Sequence, residues 1–599
     1  MDNKEYLRKM RHSAQHILEQ AVLMLYPGTL MTMGPATDDG FYGDFEFPEG
    51  VSLSIDHLPK IEKMMRKLIQ QNLIFERKVV SPIEARKIFK DNPYKLEWID
   101  SIEQKGQDIS LYVTKKKDEE IFVDLCAGPH IDSTAEIKAF KLMSVAGAYW
   151  HGDSKNKMLT RIYGTAFPSE EELSNYLTFL EEAKKRDHRT VGKALDLFSV
   201  DEYVGPGLVL WHPKLAVVRE EIELYWRKEH RRRGYQYVYT PSIGQSNLWK
   251  TSGHLDHFTD CMYPAMQMTQ KDKEEKTTYY VKPMSCPFHV RIYKSTMKSY
   301  RDLPLRLCEL GNVYRFESSG ALHGMLRVRG FTQDDAHIIC REDQFVDEVN
   351  QVLDFALSMN SVFGFNKLNV YLSVRDPNDT DKYIKNEPVW QLAEKTLEEV
   401  LKAKNITYQK DIGGAKFYGP AIDLKAVDAM GREWQGTTIQ LDMNLPEKFG
   451  MTYVGEDGQE HTPIMLHRTL LGSMERFVGT LIEQFAGAFP VWLAPVQVKV
   501  LHVSEKHLPY VKKIKDLLFA EDIRVEADEK NNTIGYQIRE AHNMKIPYSI
   551  IIGDKEVETN TISVRDRKQG MKSNIPLSEF LENIHKIIDT KSLDLWMEK

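Results

Sequence analysis

The chain has 599 residues, of which 42% are hydrophobic and 28% charged, and a formal net charge of −7. This length predicts several domains, because a single hydrophobic core stops growing at about 250–300 residues. The acidic total excludes a uniformly basic surface, although local basic faces can still bind a polyanion. The sequence shows no secretory or membrane-spanning segment, and its five scattered cysteines do not suggest a disulfide framework. We therefore expect a cytoplasmic protein.

Two histidines four residues apart, His12 and His16, stand near the start of the chain in HSAQH. This spacing places both on one face of a predicted helix. Much later, DLCAGPH supplies Cys126 and His130. Three histidines and a cysteine are first of all a zinc donor set, and spacing alone does not distinguish a metal site from a metal-free catalytic cluster.

A connecting helix is predicted in PSEEELSNYLTFLEEAKKRDHR. Ser169 and Glu172 form a capping box at its start, and apolar residues follow at helical spacing. Beyond Pro495, strand-like and helical runs alternate, which predicts a compact α/β module. The predicted domains are residues 1–168, the connecting helix 169–189, a large domain 190–492 and a C-terminal module 493–599.

Polar residues that packing alone does not explain cluster between 309 and 340, in ELGNVYRFESSGALHGMLRVRGFTQDDAHIIC. Arg315 and Glu317 are predicted on one face of a first strand. The second strand places four alternating side chains on one face, namely Phe331, Gln333, Asp335 and His337. Buried without a ligand, such a face is costly, whereas arginines bind phosphate oxygens and an aromatic ring stacks on a base.

Two further segments add candidate ligands. HRTLLGSMERF supplies His467 and Arg476, which we predict on a helix, and PMSCPFH supplies Cys286 with His289 three residues later. The local string allows a buried thiol, a local metal pair, or one ligand of a site completed from elsewhere. Neither GxxxxGK(S/T) nor GxGxxG followed by a helix is present, so a P-loop or Rossmann nucleotide site is not indicated.

Together these motifs resemble the class II aminoacyl-tRNA synthetases, and within them the threonyl-tRNA synthetase family. YRFE followed by RVRGFTQDDAH is similar to motif 2, GSMERF to motif 3, and IELYWRKEHRRRGYQYVYTPSI to the dimer-forming motif 1. The resemblance covers essentially the whole chain but includes no counterpart of the family's small N-terminal ubiquitin-like domain. It implies a multidomain α/β (α+β) fold: an editing domain, a catalytic domain with an antiparallel sheet, and a C-terminal α/β anticodon-binding domain.

The resemblance implies ATP-dependent activation of L-threonine, transfer to tRNA(Thr), and hydrolytic editing of mischarged seryl-tRNA(Thr) by a homodimer. It implies that Cys286, His337 and His467 bind one catalytic Zn²⁺ per subunit, with His289 and Cys340 outside the ligand set. Three protein ligands leave a zinc position for the amino group and hydroxyl of threonine, and valine has no hydroxyl to offer. Mg²⁺ would accompany ATP.

The other roles are implied by the same resemblance, with Arg315 on the α-phosphate and Phe331 and Arg476 around the adenine. The residues implied in ATP binding are Arg315, Glu317, Arg327, Phe331 and Arg476. Those implied around threonine and in catalysis are Gln333, Asp335, Tyr418, Gln435, Gln440 and His254, the last near the terminal ribose of tRNA. Those implied in editing without a metal are His12, His16, Lys95, Asp124, Cys126 and His130. Those implied in anticodon reading are Asn531, Glu556 and Arg565.

Four positions depart from the family pattern: Ala421 replaces a lysine, Gly436 replaces a cysteine, and Ser285 and Phe288 replace an asparagine and a smaller residue. An alternative hypothesis is therefore a paralogue with an altered pocket. Such a paralogue would act as an inhibitor-tolerant copy, as a regulator that binds tRNA or messenger RNA, or as a stand-alone editing factor.

Overall fold

The computed structural model describes residues 3–269, 276–379 and 382–596. The chain divides into two compact units at residues 181 and 182, within helix α5 (Glu170–Arg186). The predicted Ser169 N-cap is confirmed, because the backbone N–H of Glu172 donates to Ser169 Oγ at 3.1 Å, whereas the Glu172 carboxylate contacts that hydroxyl, at 3.2 Å, instead of closing the predicted capping box. No helix in these ranges is long and apolar enough to span a membrane.

The first unit, Met1–Glu181, is built around its N-terminal helix. That helix buries apolar side chains at helical spacing, including Met10, Ala14 and Ile17, against a neighbouring helix and two strands. The helices are α1 (Asn3–Leu25), α2 (Leu58–Ile69), α3 (Pro82–Ile88), α4 (Pro93–Gln104) and α5. The strands are β1 (Leu30–Met33), β2 (Phe41–Glu46), β3 (Ile74–Val80), β4 (Ile109–Lys116), β5 (Glu119–Leu125), β6 (Ala139–Tyr149) and β7 (Met158–Phe167). They form antiparallel sheets in the orders β1-β2-β7-β6 and β3-β4-β5.

The second unit, Glu182–Lys599, contains a large sheet followed by the C-terminal module. Before that module, its helices are α6 (His188–Leu195), α7 (Pro213–Arg232), α8 (Ser246–Thr251), α9 (His254–His257), α10 (Cys286–Tyr293), α11 (Phe345–Val362), α12 (Glu387–Ala403), α13 (Leu445–Lys448) and α14 (Met474–Phe485). Its strands there are β8 (Phe198–Val200), β9 (Val209–Trp211), β10 (Gln236–Tyr237), β11 (Ile243–Gln245), β12 (Met266–Thr269), β13 (Lys276–Val281), β14 (Leu305–Tyr314), β15 (Gly330–Cys340), β16 (Leu368–Val374), β17 (Tyr408–Ile412), β18 (Ala421–Val427), β19 (Glu433–Asp442), β20 (Tyr453–Val454), β21 (Glu460–His461) and β22 (Ile464–Thr469).

The large sheet has eight strands within the described ranges, in the order β10-β14-β15-β22-β19-β18-β16-β17. Its pairs are antiparallel except for the two outermost, β10–β14 and β16–β17. One face packs on α7, α11 and α14, whose apolar side chains form the main core. The other face carries the polar side chains that the sequence singled out, so the sheet separates the packing core from the candidate site.

Two local predictions about this sheet are wrong. His467 lies on strand β22, because residues 464–469 pair with β15 on one side and β19 on the other. The helix begins only at Met474, after Gly472 at φ +73° and a Ser473 cap. Arg315 and Glu317 follow the end of β14 rather than sharing a strand face, because the chain already turns there and the N–H of Glu317 donates to the Arg315 carbonyl.

The C-terminal module is a separate mixed sheet in the order β24-β23-β25-β26-β27. Its central pairs with β23 are parallel, whereas β25–β26 and β26–β27 are antiparallel. The predicted alternation of strands and helices is confirmed. The helices are α15 (Leu508–Ala520), α16 (Ile534–Asn543), α17 (Asp554–Thr559) and α18 (Leu577–Thr590). The strands are β23 (Val498–His502), β24 (Val525–Ala527), β25 (Tyr548–Ile552), β26 (Ile562–Asp566) and β27 (Met571–Ile575).

Candidate functional site

Strand register places distant residues in one row across the large sheet. His337 on β15 lies directly opposite His467 on β22, and His467 lies opposite Gln440 on β19. Gln440 in turn lies opposite Ala421 on β18. Directly paired residues point to the same face of a sheet. Segments more than a hundred residues apart therefore meet beside the four alternating side chains of β15.

A thiol and two imidazoles converge in this row. The donor atoms of Cys286, His337 and His467 lie within 4.8 Å of one another, and His337 Nε2 is 3.0 Å from His467 Nδ1. Cys286 is the first residue of α10 and is buried. The outer nitrogen of His467, Nε2, contacts Asp442 Oδ2 at 2.6 Å. A buried sulfur and two ring nitrogens, one of them anchored by a carboxylate, fit the donor set of a zinc site.

Burial and the neighbouring charges shift the pKa values of these donors in opposite directions. Burial raises the pKa of the Cys286 thiol, although the neighbouring His467 works against that shift. Burial also disfavours a charged His467, but the Cys286 sulfur and the Asp442 carboxylate outweigh it and raise the pKa of this imidazole. The pKa of His337 is lowered by burial and by two neighbouring histidines. A cluster of this kind binds either a proton or a metal cation between its donors.

The buried polar atoms beside the donor set that have no hydrogen-bond partner among the described residues include Asp335 Oδ2, Gln333 Oε1 and Gln440 Nε2. Burial raises the pKa of the Asp335 carboxyl. Tyr418 donates its hydroxyl to Gln440 Oε1 at 3.1 Å, so this amide is already oriented. Buried polar groups in native proteins are nearly always satisfied, and groups left free in a pocket indicate a polar ligand.

Gln435 is held differently from the other predicted substrate residues. Its amide nitrogen donates to Asp423 Oδ1 at 2.7 Å and to Thr438 Oγ1 at 3.0 Å. Ala421, where the resemblance implies a lysine, is buried at the start of β18, the strand that carries Asp423, and lies opposite Gln440. A side chain at Gly436 would meet only ordinary contact with the Leu424 carbonyl, at 3.5 Å.

Three guanidinium groups lie together at the other end of β15. Arg315 is half-buried, and its guanidinium carbon is 5.2 Å from the centre of the Phe331 ring. Burial and the charges of Arg315 and Arg327 lower the pKa of Arg476, whose Nε donates to the Leu326 carbonyl at 3.0 Å. Three cations held in proximity form a binding site for an anion with several charged oxygens.

His254 lies at the start of α9, with Nδ1 2.7 Å from Ser252 Oγ and Nε2 3.3 Å from Met284 Sδ. Burial, followed by the charge of His467, lowers the pKa of His254 to about 4. This imidazole is therefore neutral at pH 7. The ion pair of Arg327 with Glu317, at 3.0 Å, marks the more exposed side of the same region.

The first unit holds a second cluster, at a cavity of about 420 Å³. Cys126 Sγ is 3.4 Å from Nε2 of both His12 and His130. The outer nitrogens are anchored, since Nδ1 of His12 contacts the Pro129 carbonyl at 3.1 Å and Nδ1 of His130 contacts Ser13 Oγ at 3.0 Å. The prediction that His12 and His16 share one helix face is confirmed, because the centres of their rings are 5.4 Å apart in an edge-to-face arrangement.

Burial keeps this second cluster uncharged. It lowers the pKa values of His12, His16 and His130 and raises that of the Cys126 thiol to about 12. The four donors satisfy the geometry of a metal site as well as that of a metal-free cluster.

An ion pair supports this cluster from behind. Lys95 Nζ contacts Asp124 Oδ1 at 2.5 Å, and both side chains are buried. Burial disfavours the Lys95 ammonium, but Asp124 and Glu19 outweigh it and raise the pKa of this lysine. Burial and Asp124 raise the pKa of Glu19. Sequence reasoning missed Glu19, and the available signal was an acidic residue on the apolar face of α1, three positions after His16.

The three predicted anticodon residues lie on different elements of the C-terminal module. Asn531 is exposed in the loop before α16, Glu556 lies on α17 and Arg565 on β26. The Glu556 carboxylate accepts hydrogen bonds from the Gly553 N–H at 2.9 Å and from Ser563 Oγ at 2.7 Å. The carboxylate is thus oriented, whereas Asn531 is open to solvent.

Comparison with known proteins first defines the class. Residues 268–485 match the family model "tRNA synthetase class II core domain (G, H, P, S and T)", and residues 497–587 match "Anticodon binding domain". Residues 109–163 match "Threonyl and Alanyl tRNA synthetase second additional domain". The chain therefore has the three parts of an editing class II aminoacyl-tRNA synthetase.

Individual relatives narrow the class to one family. The chain is 50% identical to the threonine–tRNA ligase of Sulfurihydrogenibium sp. (strain YO3AOP1), over 98% of this chain and 90% of that protein. It is 48% identical to that of Borreliella afzelii (strain PKo), over 98% of both chains. The solved RNA-binding domain of threonyl-tRNA synthetase from Cryptosporidium parvum Iowa II covers 69% of this chain and all of its own, with TM-score 0.62 and 33% identity. The chain belongs to the threonine–tRNA ligase family.

Proposed function

We propose that this chain activates L-threonine with ATP, transfers it to tRNA(Thr), and hydrolyses seryl-tRNA(Thr) formed in error. The observation that carries this proposal is the buried polar face of β15 and its neighbour β19, where Gln333, Asp335 and Gln440 each have an atom without a partner in the described part of the chain, beside a thiol and two imidazoles. Family membership supports the same activity. Neither the relatives nor the matched domains favour the alternatives of an inhibitor-tolerant paralogue, an RNA-binding regulator or a stand-alone editing factor.

The cluster of Cys286, His337 and His467 is proposed to hold one Zn²⁺ per subunit. When bound there, zinc supplies a Lewis-acid position for the amino group and hydroxyl of threonine. Asp335 would accept a hydrogen bond from the amino group, and Tyr418 would help to fix it. The polar groups lining the pocket would be Gln333, Gln435 and Gln440. Valine offers no hydroxyl, and an apolar pocket alone discriminates such isosteres only weakly.

Arginines would stabilise the charge that develops when the threonine carboxylate attacks the α-phosphate. Arg315 is half-buried and lies against Phe331, so we assign it to the α-phosphate. Arg476 and Phe331 would hold the adenine between them, with Glu317 near its edge. Arg327 would bind the outer phosphates, together with Mg²⁺.

Transfer to tRNA would use the neutral His254. Because burial holds its pKa near 4, its imidazole can accept a hydrogen bond from the terminal ribose at neutral pH. The hydroxyl of Ser252 at Nδ1 orients the ring.

Editing is required because serine retains the hydroxyl and lacks only a methyl group, a difference worth about 1–3 kcal/mol. We assign hydrolysis of seryl-tRNA(Thr) to the 420 Å³ cavity of the first unit. The neutral imidazoles of His12, His16 and His130 would orient a water molecule, while Cys126 remains a thiol. Lys95 and Asp124 would hold the cluster in place, and no metal is proposed there.

The anticodon loop would bind to the C-terminal module through Asn531, Glu556 and Arg565, because single-stranded bases offer edges that polar side chains can read. A homodimer is proposed through the motif 1 region. Exposed apolar side chains on that region support it, namely Leu224, Tyr239 and Ile243. The cytoplasm is the proposed location.

Aminoacylation of a tRNA(Thr) transcript with threonine, valine or serine tests this proposal. We expect threonyl ester to accumulate, valyl ester to stay at background, and seryl ester to accumulate only when His12 and His16 are both replaced by alanine. Absence of threonyl ester with the unaltered chain would overturn the proposed activity. Seryl ester that accumulates on the unaltered chain would overturn only the editing assignment.

A further inference from the structure

A buried chain of polar contacts leads away from the proposed zinc centre on the side of His337. Nε2 of His337 faces the other donors, and Nδ1 of His337 lies 2.8 Å from Nδ1 of His289. His289 is completely buried on α10. Its second nitrogen, Nε2, has no hydrogen-bond partner among the described residues and lies 3.4 Å from Glu309 Oε1, at ion-pair distance. Two imidazoles and a carboxylate thus follow one another behind a single donor atom.

The far end of this chain is fixed by further polar contacts. Glu309 accepts hydrogen bonds from the N–H of Thr240 at 3.1 Å and from its hydroxyl at 2.7 Å. Lys282 Nζ donates to the same hydroxyl at 2.7 Å and lies 3.4 Å from Glu309 Oε1. Burial alone would raise the pKa of Glu309, but the proximity of His289 and the charge of Lys282 hold it at about 2. The carboxylate is therefore ionised and is held by two hydrogen bonds from Thr240.

These contacts determine which ring nitrogen of His337 and of His289 carries the hydrogen. If Nε2 of His337 binds a metal ion, the hydrogen of this neutral imidazole is on Nδ1. That N–H donates to Nδ1 of His289, which must be bare, so His289 carries its hydrogen on Nε2, the nitrogen that faces ionised Glu309 at 3.4 Å. A carboxylate behind a metal-bound histidine fixes its tautomer and orientation. Here an additional imidazole stands between the two.

We propose that His289 and Glu309 are positioning residues of the zinc centre, which hold His337 in the tautomer that presents Nε2 to the metal. This inference rests on the proposed zinc centre and extends it to residues without any assigned role. It also explains a feature of the sequence. His289 forms the local C-x-x-H pair with Cys286, yet it acts one hydrogen bond behind a ligand rather than as a ligand. The other ligand histidine, His467, is held directly by Asp442.

Two substitutions of similar size separate this role from simple packing. In His289→Asn the amide takes the place of Nδ1 and can still accept the hydrogen of His337. In His289→Gln the amide takes the place of Nε2, and the contact with His337 is lost. We expect the Asn variant to bind zinc within about threefold of the unaltered chain and the Gln variant to bind about 10–100-fold more weakly. Competition with a chromophoric chelator on the full-length chain measures both affinities.

A matched control is available at His502, another fully buried histidine, which bonds to Gln537 in the C-terminal module. His502→Asn and His502→Gln should leave the zinc affinity unchanged. Substitution of cobalt(II) for zinc adds a spectroscopic readout, because its ligand-field bands respond to the orientation of a ligand imidazole. We expect these bands to shift in His289→Gln and not in the His502 variants.

Equal zinc affinities of His289→Asn and His289→Gln, whether normal or reduced, would overturn the proposal. If His289→Gln does not fold, Glu309→Gln provides the test, since it keeps the side-chain shape and removes the charge. About a tenfold loss of zinc affinity supports the relay, and an unchanged affinity overturns it. An unaltered chain that activates threonine but contains no zinc would refute the zinc centre itself, and the relay with it.

Discussion

At the scale of single residues, the charge state of the second cluster follows from burial. His16 is almost inaccessible, and burial lowers its pKa and those of His12 and His130 below the ordinary 6.5. The folded first unit therefore keeps these rings neutral at pH values where the unfolded chain would protonate them. Cys126, with a pKa of about 12, remains a thiol over the same range.

The lowered pKa values determine the direction in which the stability of the first unit changes with pH. Below pH 6.5 the unfolded chain binds protons that the folded cluster does not, so the free energy of unfolding of the first unit should fall as the pH falls. Above pH 6.5 these histidines should contribute no slope. Each ring that stays neutral in the folded protein contributes up to about 1.4 kcal/mol per pH unit to this fall in the free energy of unfolding.

Urea unfolding of the full-length chain between pH 5 and 8 measures this effect. His16→Gln should flatten the decline below pH 6.5, whereas the same change at the exposed His151 should not. Equal slopes in His16→Gln and the unaltered chain would contradict a neutral buried His16.

At the scale of secondary structure, strand β15 presents side chains to both faces of the large sheet. Its odd-numbered residues line the polar pocket, and its even-numbered residues enter the main core. Among the latter, Asp334 accepts hydrogen bonds from Trp226 Nε1 at 2.8 Å and from Arg468 at 3.0 Å. It also accepts the N–H groups of Leu470 and Leu471 at 2.7 and 2.8 Å. One carboxylate therefore ties β15 to α7, to β22 and to the loop before α14.

Removing that carboxylate should destabilise the sheet. Asp334→Ala would leave the fully buried Arg468 without its ion-pair partner, which costs about 3–5 kcal/mol. Asp343→Ala, which removes the exposed partner of Arg341, should change stability by less than about 0.5 kcal/mol. Urea unfolding followed by circular dichroism measures both. Similar small effects of the two substitutions would show that the Asp334 network does not stabilise the sheet.

Local patterns predicted part of this architecture. The alternation of Phe331, Gln333, Asp335 and His337 and the α1 spacing of His12 and His16 follow from the repeat of one element, and the structure confirms both. His467 was misplaced because its strand is defined by pairing with β15 and β19, and neither partner is adjacent in sequence. A turn glycine at position 472 then separates it from the helix that carries Arg476.

The contacts that support the candidate ligands could not be predicted from the sequence. Asp442, His289 and Glu309 contact the candidate ligands or one another only because strand register and α10 bring them together. In the first unit, Glu19 approaches Asp124 across about a hundred residues of chain. Such contacts have no local signature, since they depend on packing between distant segments.

At the scale of the whole molecule, the two proposed sites belong to different compact units. The thiol–imidazole cluster of Cys286 lies in the second unit, and that of His16 lies in the first. Each unit has its own hydrophobic core. A change at one site should therefore leave the chemistry of the other intact.

Cys286→Ser should lose zinc and threonine activation while it still hydrolyses seryl-tRNA(Thr) at the normal rate. His16→Ala should activate threonine normally and lose at least about 100-fold in hydrolysis of seryl-tRNA(Thr). Pyrophosphate exchange and deacylation of preformed seryl-tRNA(Thr) measure the two activities separately. Loss of both activities in either variant would contradict their separation.

The central claim is that the buried face of β15 and its metal donors activate threonine. Threonine-dependent exchange between ATP and pyrophosphate tests it most directly, with zinc quantified in the same purified sample. We expect exchange with threonine, background exchange with valine, and about one zinc per chain. Bound zinc without threonine-dependent exchange would contradict the claim, because the donor set would then be intact while activation had failed.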